Sequence, residues 1–195
     1  MTREELVKRL AAAEDRRRGD HELNPGLYHV GPLTPAAVLV PLLDRPEGIS
    51  VLLTQRTEHL RDHSGQISFP GGRIEPGDPS PEAAALREAE EEVGLQPELI
   101  EVIGRLDTYE TRTGFEVTPV VGLIDPPERY RIDEVEVAEV FEVPLEFILD
   151  PANHERRGRM FQGQVRLFYV LPYRDRYIWG ATAGMLVNLY EVLVG

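Results

Sequence analysis

The chain has 195 residues, 42% of them hydrophobic and 28% charged, with 21 Lys+Arg against 34 Asp+Glu for a formal net charge of −13. That length accommodates one domain with a sizeable core, and no apolar run approaches the roughly 20 residues of a membrane helix. The acidic balance argues against a broad nucleic-acid footprint, which needs a basic face, and the absence of cysteine excludes disulfides, thiolate metal sites and a Cys nucleophile.

In chain order, residues 3–18 read as a charged N-terminal helix, amphipathic and without the apolar stretch of a signal peptide. A Gly/Pro/Asn-rich connection follows to about Pro32. The apolar runs 35–43 and 49–56 read as strands separated by the turn-forming D-R-P-E-G, and 57–70 as a loop. A helix begins at Ser80 or Pro81, where Ser80 suits the N-cap, Pro81 the first helical position and Glu82 the dipole. Gly94 suits the residue that ends it. Residues 98–109, 115–124 and 137–145 read as strands, 125–133 as a loop and 146–150 as the start of a short helix. Residues 165–171 and 176–179 read as a closing hairpin, and 181–193 as an apolar helix. The expected fold is α+β, an αβα layered arrangement with a mixed sheet. The expected organisation is one domain over 1–195: an N-terminal helix and connection (1–32), a core (33–150), and a hairpin with a final helix (151–195).

The helix over 81–93 crowds carboxylates. At 100° per residue, Ala85, Leu86, Ala89 and Val93 form the apolar stripe. Glu88, Glu91 and Glu92 are read in another arc of about 100°, roughly opposite, with Glu90 apart and Arg87 one turn before Glu91. A charge run of this kind is most often a solvated helix face. The preceding F-P-G-G (69–72) favours a second reading, because its glycines let the backbone approach a ligand and offer a carbonyl. Three carboxylates and a carbonyl make a hard, all-oxygen site suited to Mg²⁺ or Mn²⁺ bridging to phosphate. Lys8 is the one lysine, so nearly all positive charge is arginine. Arginine suits bidentate phosphate contacts, although a GC-rich genome produces the same bias.

Gly72 through Leu95 resembles the Nudix box, G-x5-E-x7-R-E-U-x-E-E-x-G-U, with U aliphatic. Arg87, Glu88, Ala89, Glu91, Glu92, Gly94 and Leu95 fall in place. Position 78 is Asp rather than Glu and stands one residue further from Arg87. The stretch 52–72, L-L-T-Q-R-T-E-H-L-R-D-H-S-G-Q-I-S-F-P-G-G, resembles the added signature of coenzyme A diphosphatases, with Leu52, Leu53, Thr54, Arg61, Gly65, Phe69, Pro70, Gly71 and Gly72 in register. Arg56 and Thr57 depart from it. The resemblance implies a Nudix fold and hydrolysis of the diphosphate of coenzyme A to 4′-phosphopantetheine and adenosine 3′,5′-bisphosphate. It also implies metal ligation by Glu88, Glu91, Glu92 and the Gly71 carbonyl, with Arg87 holding Glu91.

Arg56, Arg61, Gly72, Arg73 and His63 are candidates for substrate contacts, each with the alternative of a surface residue; Phe69 is expected in the core. The general base is expected in 132–142, from Glu139, then Glu136, with Glu134 a further candidate and a box glutamate the alternative source; a polar strand face is the alternative reading for each of the three. Other readings are a Nudix enzyme acting on ADP-ribose, NADH or another nucleotide, and a non-catalytic nucleotide-binding module. The expected partner is a small molecule, with no nucleic acid and no membrane, in a cytoplasmic monomer or homodimer.

Overall fold

Each long strand carries two alternating apolar sets, so the sheet they form is buried on both faces. In the computed structural model, which describes residues 1–12, 16–58, 65–127, 129–161 and 163–195, strands β2 (Thr34–Arg45) and β8 (Phe115–Ile124) run parallel at its centre. In β2, Ala36, Val40 and Leu42 face one core, while Ala37, Leu39 and Leu43 face the other. Strand β3 (Gly48–Arg56) pairs antiparallel with the second half of β2, and β5 (Gly71–Arg73) with the first half. Strands β6 (Ile100–Arg105) and β7 (Thr108–Glu110) line the far edge of β8. Strands β4 (Ile67–Ser68) and β9 (Val137–Pro144) flank β3. Among the described residues the result is a nine-stranded mixed sheet.

Helix α2 (Pro81–Val93) covers one face through Ala84, Ala85, Ala89 and Val93. The other face is covered by α1 (Arg3–Ala11), α3 (Leu145–Leu149) and α4 (Gly180–Val194), in a core that includes Leu6, Leu10, Ile148, Leu186 and Leu189. The fold is therefore α+β, a mixed sheet between helices. Among the described residues no helix is long and apolar enough to cross a membrane.

Four elements differ from expectation. The strand expected over 98–109 divides into β6 and β7. The N-terminal helix ends at Ala11, and Arg17–Gly19 forms strand β1 beside β7 instead. There the Asp107 carboxylate accepts from the Arg16 amide at 3.1 Å and pairs with Arg18 at 3.6 Å, so a distant acid overrides the local helical pattern. The loop expected over 57–70 contains β4. The closing hairpin is a three-stranded meander: β10 (Glu155–Phe161), β11 (Gln164–Tyr173) and β12 (Arg176–Trp179). Strand β10 is exposed along almost its whole length, so no apolar alternation marks it.

Candidate active site

The local chemistry of α2 fixes where its carboxylates point. Ser80 caps the helix by accepting from the Ala83 amide at 3.3 Å, Pro81 opens it, and Gly94 closes it in the left-handed conformation at φ 73°. Ahead of the cap, Asp78 grips Arg87 in a bidentate pair, Nε–Oδ1 and Nη2–Oδ2 both 3.0 Å. The Glu75 amide also donates to Asp78, at 2.8 Å. These bonds, Arg87's first, hold the Asp78 carboxyl below its ordinary range. Arg87 further donates to Glu88 at 3.0 Å, to Glu91 at 3.2 Å and to the Arg73 carbonyl at 3.3 Å. One guanidinium thus ties the box loop, β5 and the helix together.

The three glutamates grade from buried to exposed. The Glu92 side chain is 7% exposed, Glu88 18% and Glu91 61%. Glu92 lies at the edge of the apolar stripe rather than opposite it. Its Oε2 accepts from the Gly71 amide at 3.3 Å, and its Oε1 is 3.8 Å from Arg56. Arg56 also stands 3.8 Å from Glu136. Burial, with Glu88 and Glu136 nearby, pushes the Glu92 carboxyl up to about 8 against the opposing pull of Arg56 and the Gly71 amide. Burial raises Glu88 as well. Glu88 occupies the space where a Gly72 side chain would be, since a Cβ there would lie 2.5 Å from Oε1.

Glu136 is held by a turn that sequence reasoning passed over. The Asp133 amide donates to the Glu92 carbonyl at 2.9 Å and the Arg131 amide to the Val93 carbonyl at 3.2 Å, satisfying the open end of α2. The Thr57 hydroxyl donates to the Val135 carbonyl at 2.8 Å and its amide to the Glu136 carbonyl at 2.9 Å. Thr57 is a positioning residue that no spacing rule picks out. Asp78, which the sequence sets at the box position where the pattern has Glu, takes a positioning role through Arg87.

The candidates separate accordingly. Glu88, Glu92, Arg56, Glu136, Gly71 and Gly72 gather on the α2 face, with Glu91 at its solvent edge. Gly71 meets Glu92 through its amide. Glu139 lies on the other face in a bidentate pair with Arg176 at 2.7 and 2.8 Å, and Arg176 covers Phe141, which packs against the α4 core. Glu134 is exposed in the turn. Arg73 pairs in register with Ala36, faces away from α2 and lies over the Phe115 ring at 5.7 Å. Phe69 is buried in the core. Arg61 and His63 lie outside the described residues.

The donor set fits a hard divalent cation. Glu92 is a buried carboxyl that burial drives toward its neutral form, and nearby positive charge is what would keep it ionised. Glu88 stands beside it with the Gly71–Gly72 backbone cradling both. Among the described residues, no three His, Asp or Glu side chains converge in a ready-made metal cage. In this conformation Arg87 engages Glu88 and Glu91.

A sequence model for the NUDIX domain matches residues 33–163. The chain is 46% identical over 154 residues to a protein described as an uncharacterized Nudix hydrolase, NudL, of Escherichia coli strain K12, spanning 79% of this chain and 80% of that one. The protein of the same description from Shigella boydii serotype 18 matches at the same level. Among solved structures, the chain resembles a NUDIX hydrolase from Alicyclobacillus acidocaldarius with TM-score 0.51 and 18% identity, covering 83% of this chain and 93% of that one.

Proposed function

Because this chain belongs to the Nudix family, whose members act on small-molecule nucleotides and generally use divalent metals such as Mg²⁺ or Mn²⁺, we propose that it hydrolyses the diphosphate of coenzyme A to 4′-phosphopantetheine and adenosine 3′,5′-bisphosphate. The observation that carries a diphosphatase reading is the pair Glu92 and Glu136 around Arg56, with Glu88 beside Glu92 at the Gly71–Gly72 turn. The narrower substrate is supported by the stretch 52–72, which runs through Arg56 into that same turn and resembles the coenzyme A diphosphatase signature.

In this proposal Glu88, Glu91 and Glu92 would hold the metal with the Gly71 carbonyl. A divalent cation bound there supplies Lewis-acid stabilisation of phosphoryl charge and a water of lowered pKa. Arg56, fixed between Glu92 and Glu136, offers positive charge toward a diphosphate oxygen. Glu136 is favoured over Glu139 as acceptor of the proton from attacking water, because it shares the α2 face with Glu88 and Glu92 whereas Glu139 is committed to Arg176. Arg87 and Asp78 act through position, holding the loop onto the helix.

The test is hydrolysis of coenzyme A with Mg²⁺ or Mn²⁺ and identification of both products. ADP-ribose, NADH and a nucleoside triphosphate serve as competitors. A kcat/KM for ADP-ribose well above that for coenzyme A would sink the substrate assignment while leaving the diphosphatase reading intact.

A further inference from the structure

The β10–β11 hairpin collects positive charge in a chain that is otherwise strongly acidic. Cross-strand partners share one face of a sheet. The register sets Arg159 directly opposite Arg166 and Phe161 opposite Gln164. Like charges so placed weaken a ladder. Arg166 lies over the Phe161 ring at 3.9 Å, and Arg112, from the turn between β7 and β8, lies over the same ring at 4.6 Å. Among the described residues none of these three arginines forms an ion pair, whereas Arg157 on the same face is neutralised by Glu155 at 2.6 Å. Nε and Nη1 of Arg166 are buried and donate to no acceptor among the described residues.

A chain of neighbouring residues runs from the site on the α2 face, across the sheet at Gly72–Arg73, to the cluster. Glu88 fills the space at Gly72, and the next residue, Arg73, lies over Phe115. Phe115 is bonded to Thr111, which precedes Arg112. At the other end of the same face, Trp179 packs edge-on against Phe168 at 5.5 Å. Thr182, just beyond Trp179, donates to the Ile67 carbonyl at 3.0 Å, in the strand that leads to Gly71.

The geometry points to a second anion subsite at Arg112, Arg159 and Arg166, which takes a phosphomonoester carried by the substrate away from its diphosphate. A monoester near neutral pH carries about −1.5 to −2 charge and three acceptor oxygens. It would screen the Arg159–Arg166 repulsion and give the Arg166 donors acceptors in the bidentate geometry guanidinium favours. Phe161 and Phe168 add apolar ring surface for the attached nucleoside. This inference rests on the coenzyme A reading, since coenzyme A carries a 3′-phosphate that ADP-ribose and NADH lack.

The test is calorimetric binding of adenosine 3′,5′-bisphosphate against AMP, alongside steady-state kinetics on coenzyme A and dephospho-coenzyme A. The wild-type protein is expected to bind the bisphosphate about tenfold or more tightly than AMP. Arg159→Gln and Arg166→Gln should each erase most of that ratio and raise KM for coenzyme A alone. Arg156→Gln, on the opposite face of the hairpin over Tyr169, should keep it. Arg159 is exposed, so its variant reports even if Arg166→Gln fails to fold. An unchanged ratio in Arg159→Gln overturns the subsite. Coenzyme A turnover with no preference for the bisphosphate sinks the subsite alone. That preference without coenzyme A turnover supports the subsite and sinks the substrate reading alone.

Discussion

At the scale of single residues, the two glycines of the turn fail differently. A Cβ on Gly72 would meet the far end of Glu88, a side chain that can swing away. Gly72→Ala is therefore expected to lower kcat by about a hundredfold through displacement of Glu88, while the melting temperature stays close to wild type. A Cβ on Gly71 would instead lie 2.5 Å from the Ala37 carbonyl oxygen and 2.6 Å from the Val38 Cα, at a φ of 156°. Gly71→Ala should cost about 1–3 kcal/mol in urea unfolding, and wild-type stability would contradict that close approach to β2. Glu92→Gln keeps the shape and removes the charge. Hydrolysis should fall by at least about a hundredfold, and a variant turning over at the wild-type rate would remove Glu92 from the metal site.

At the scale of elements, α2 and the turn after Arg131 are separately tunable. Ser80 serves the helix alone, so Ser80→Ala should cost about 1 kcal/mol with kcat unchanged. Thr57 serves the turn, binding the Val135 and Glu136 carbonyls from the end of β3. Thr57→Val removes the hydroxyl bond and loosens the segment that presents Glu136. A fall in kcat of about tenfold or more with little change in KM is expected, and rescue by Thr57→Ser would show that the hydroxyl is what matters. If kcat is untouched, Glu136 is not the base.

At the scale of the whole molecule, Glu142 joins segments that lie far apart in sequence. From β9 it accepts from Arg45 at 2.5 Å, Ser50 at 2.5 Å and the Tyr130 hydroxyl at 3.1 Å. Burial alone would raise its carboxyl, but bonds from Arg45, Ser50 and Tyr130 outweigh it, so the group titrates below its ordinary value. Its stabilisation is complete above that ordinary value and is lost as pH falls through the lower, folded one. Glu142→Gln should cost on the order of 1–2 kcal/mol at pH 7 and much less near pH 3. Urea unfolding at both values measures this, and an equal loss at the two would mean that the charge of Glu142 does not contribute.

The sequence by itself determined the features whose causes are local. Helix α2 begins at Ser80 and Pro81 and ends at Gly94 because capping and left-handed closure depend on a few adjacent residues. The alternating strands β2 and β8 were legible because burial on both faces leaves a period in the chain. The carboxylate spacing of the box was legible for the same reason, as a helical repeat. Tertiary structure alone decided what depends on meeting a distant partner. It turned Arg17–Gly19 from helix to strand through β7 and Asp107, and gave the exposed β10 its neighbour. It separated Glu136 from Glu139, which stand three residues apart, by placing one beside Arg56 and the other on Arg176. Glu88, Glu91 and Glu92 share an arc on a helical wheel, but only the sheet beneath them decides which is buried. A wheel gives direction without depth, and depth controls whether a carboxylate is solvated, paired or in need of a cation.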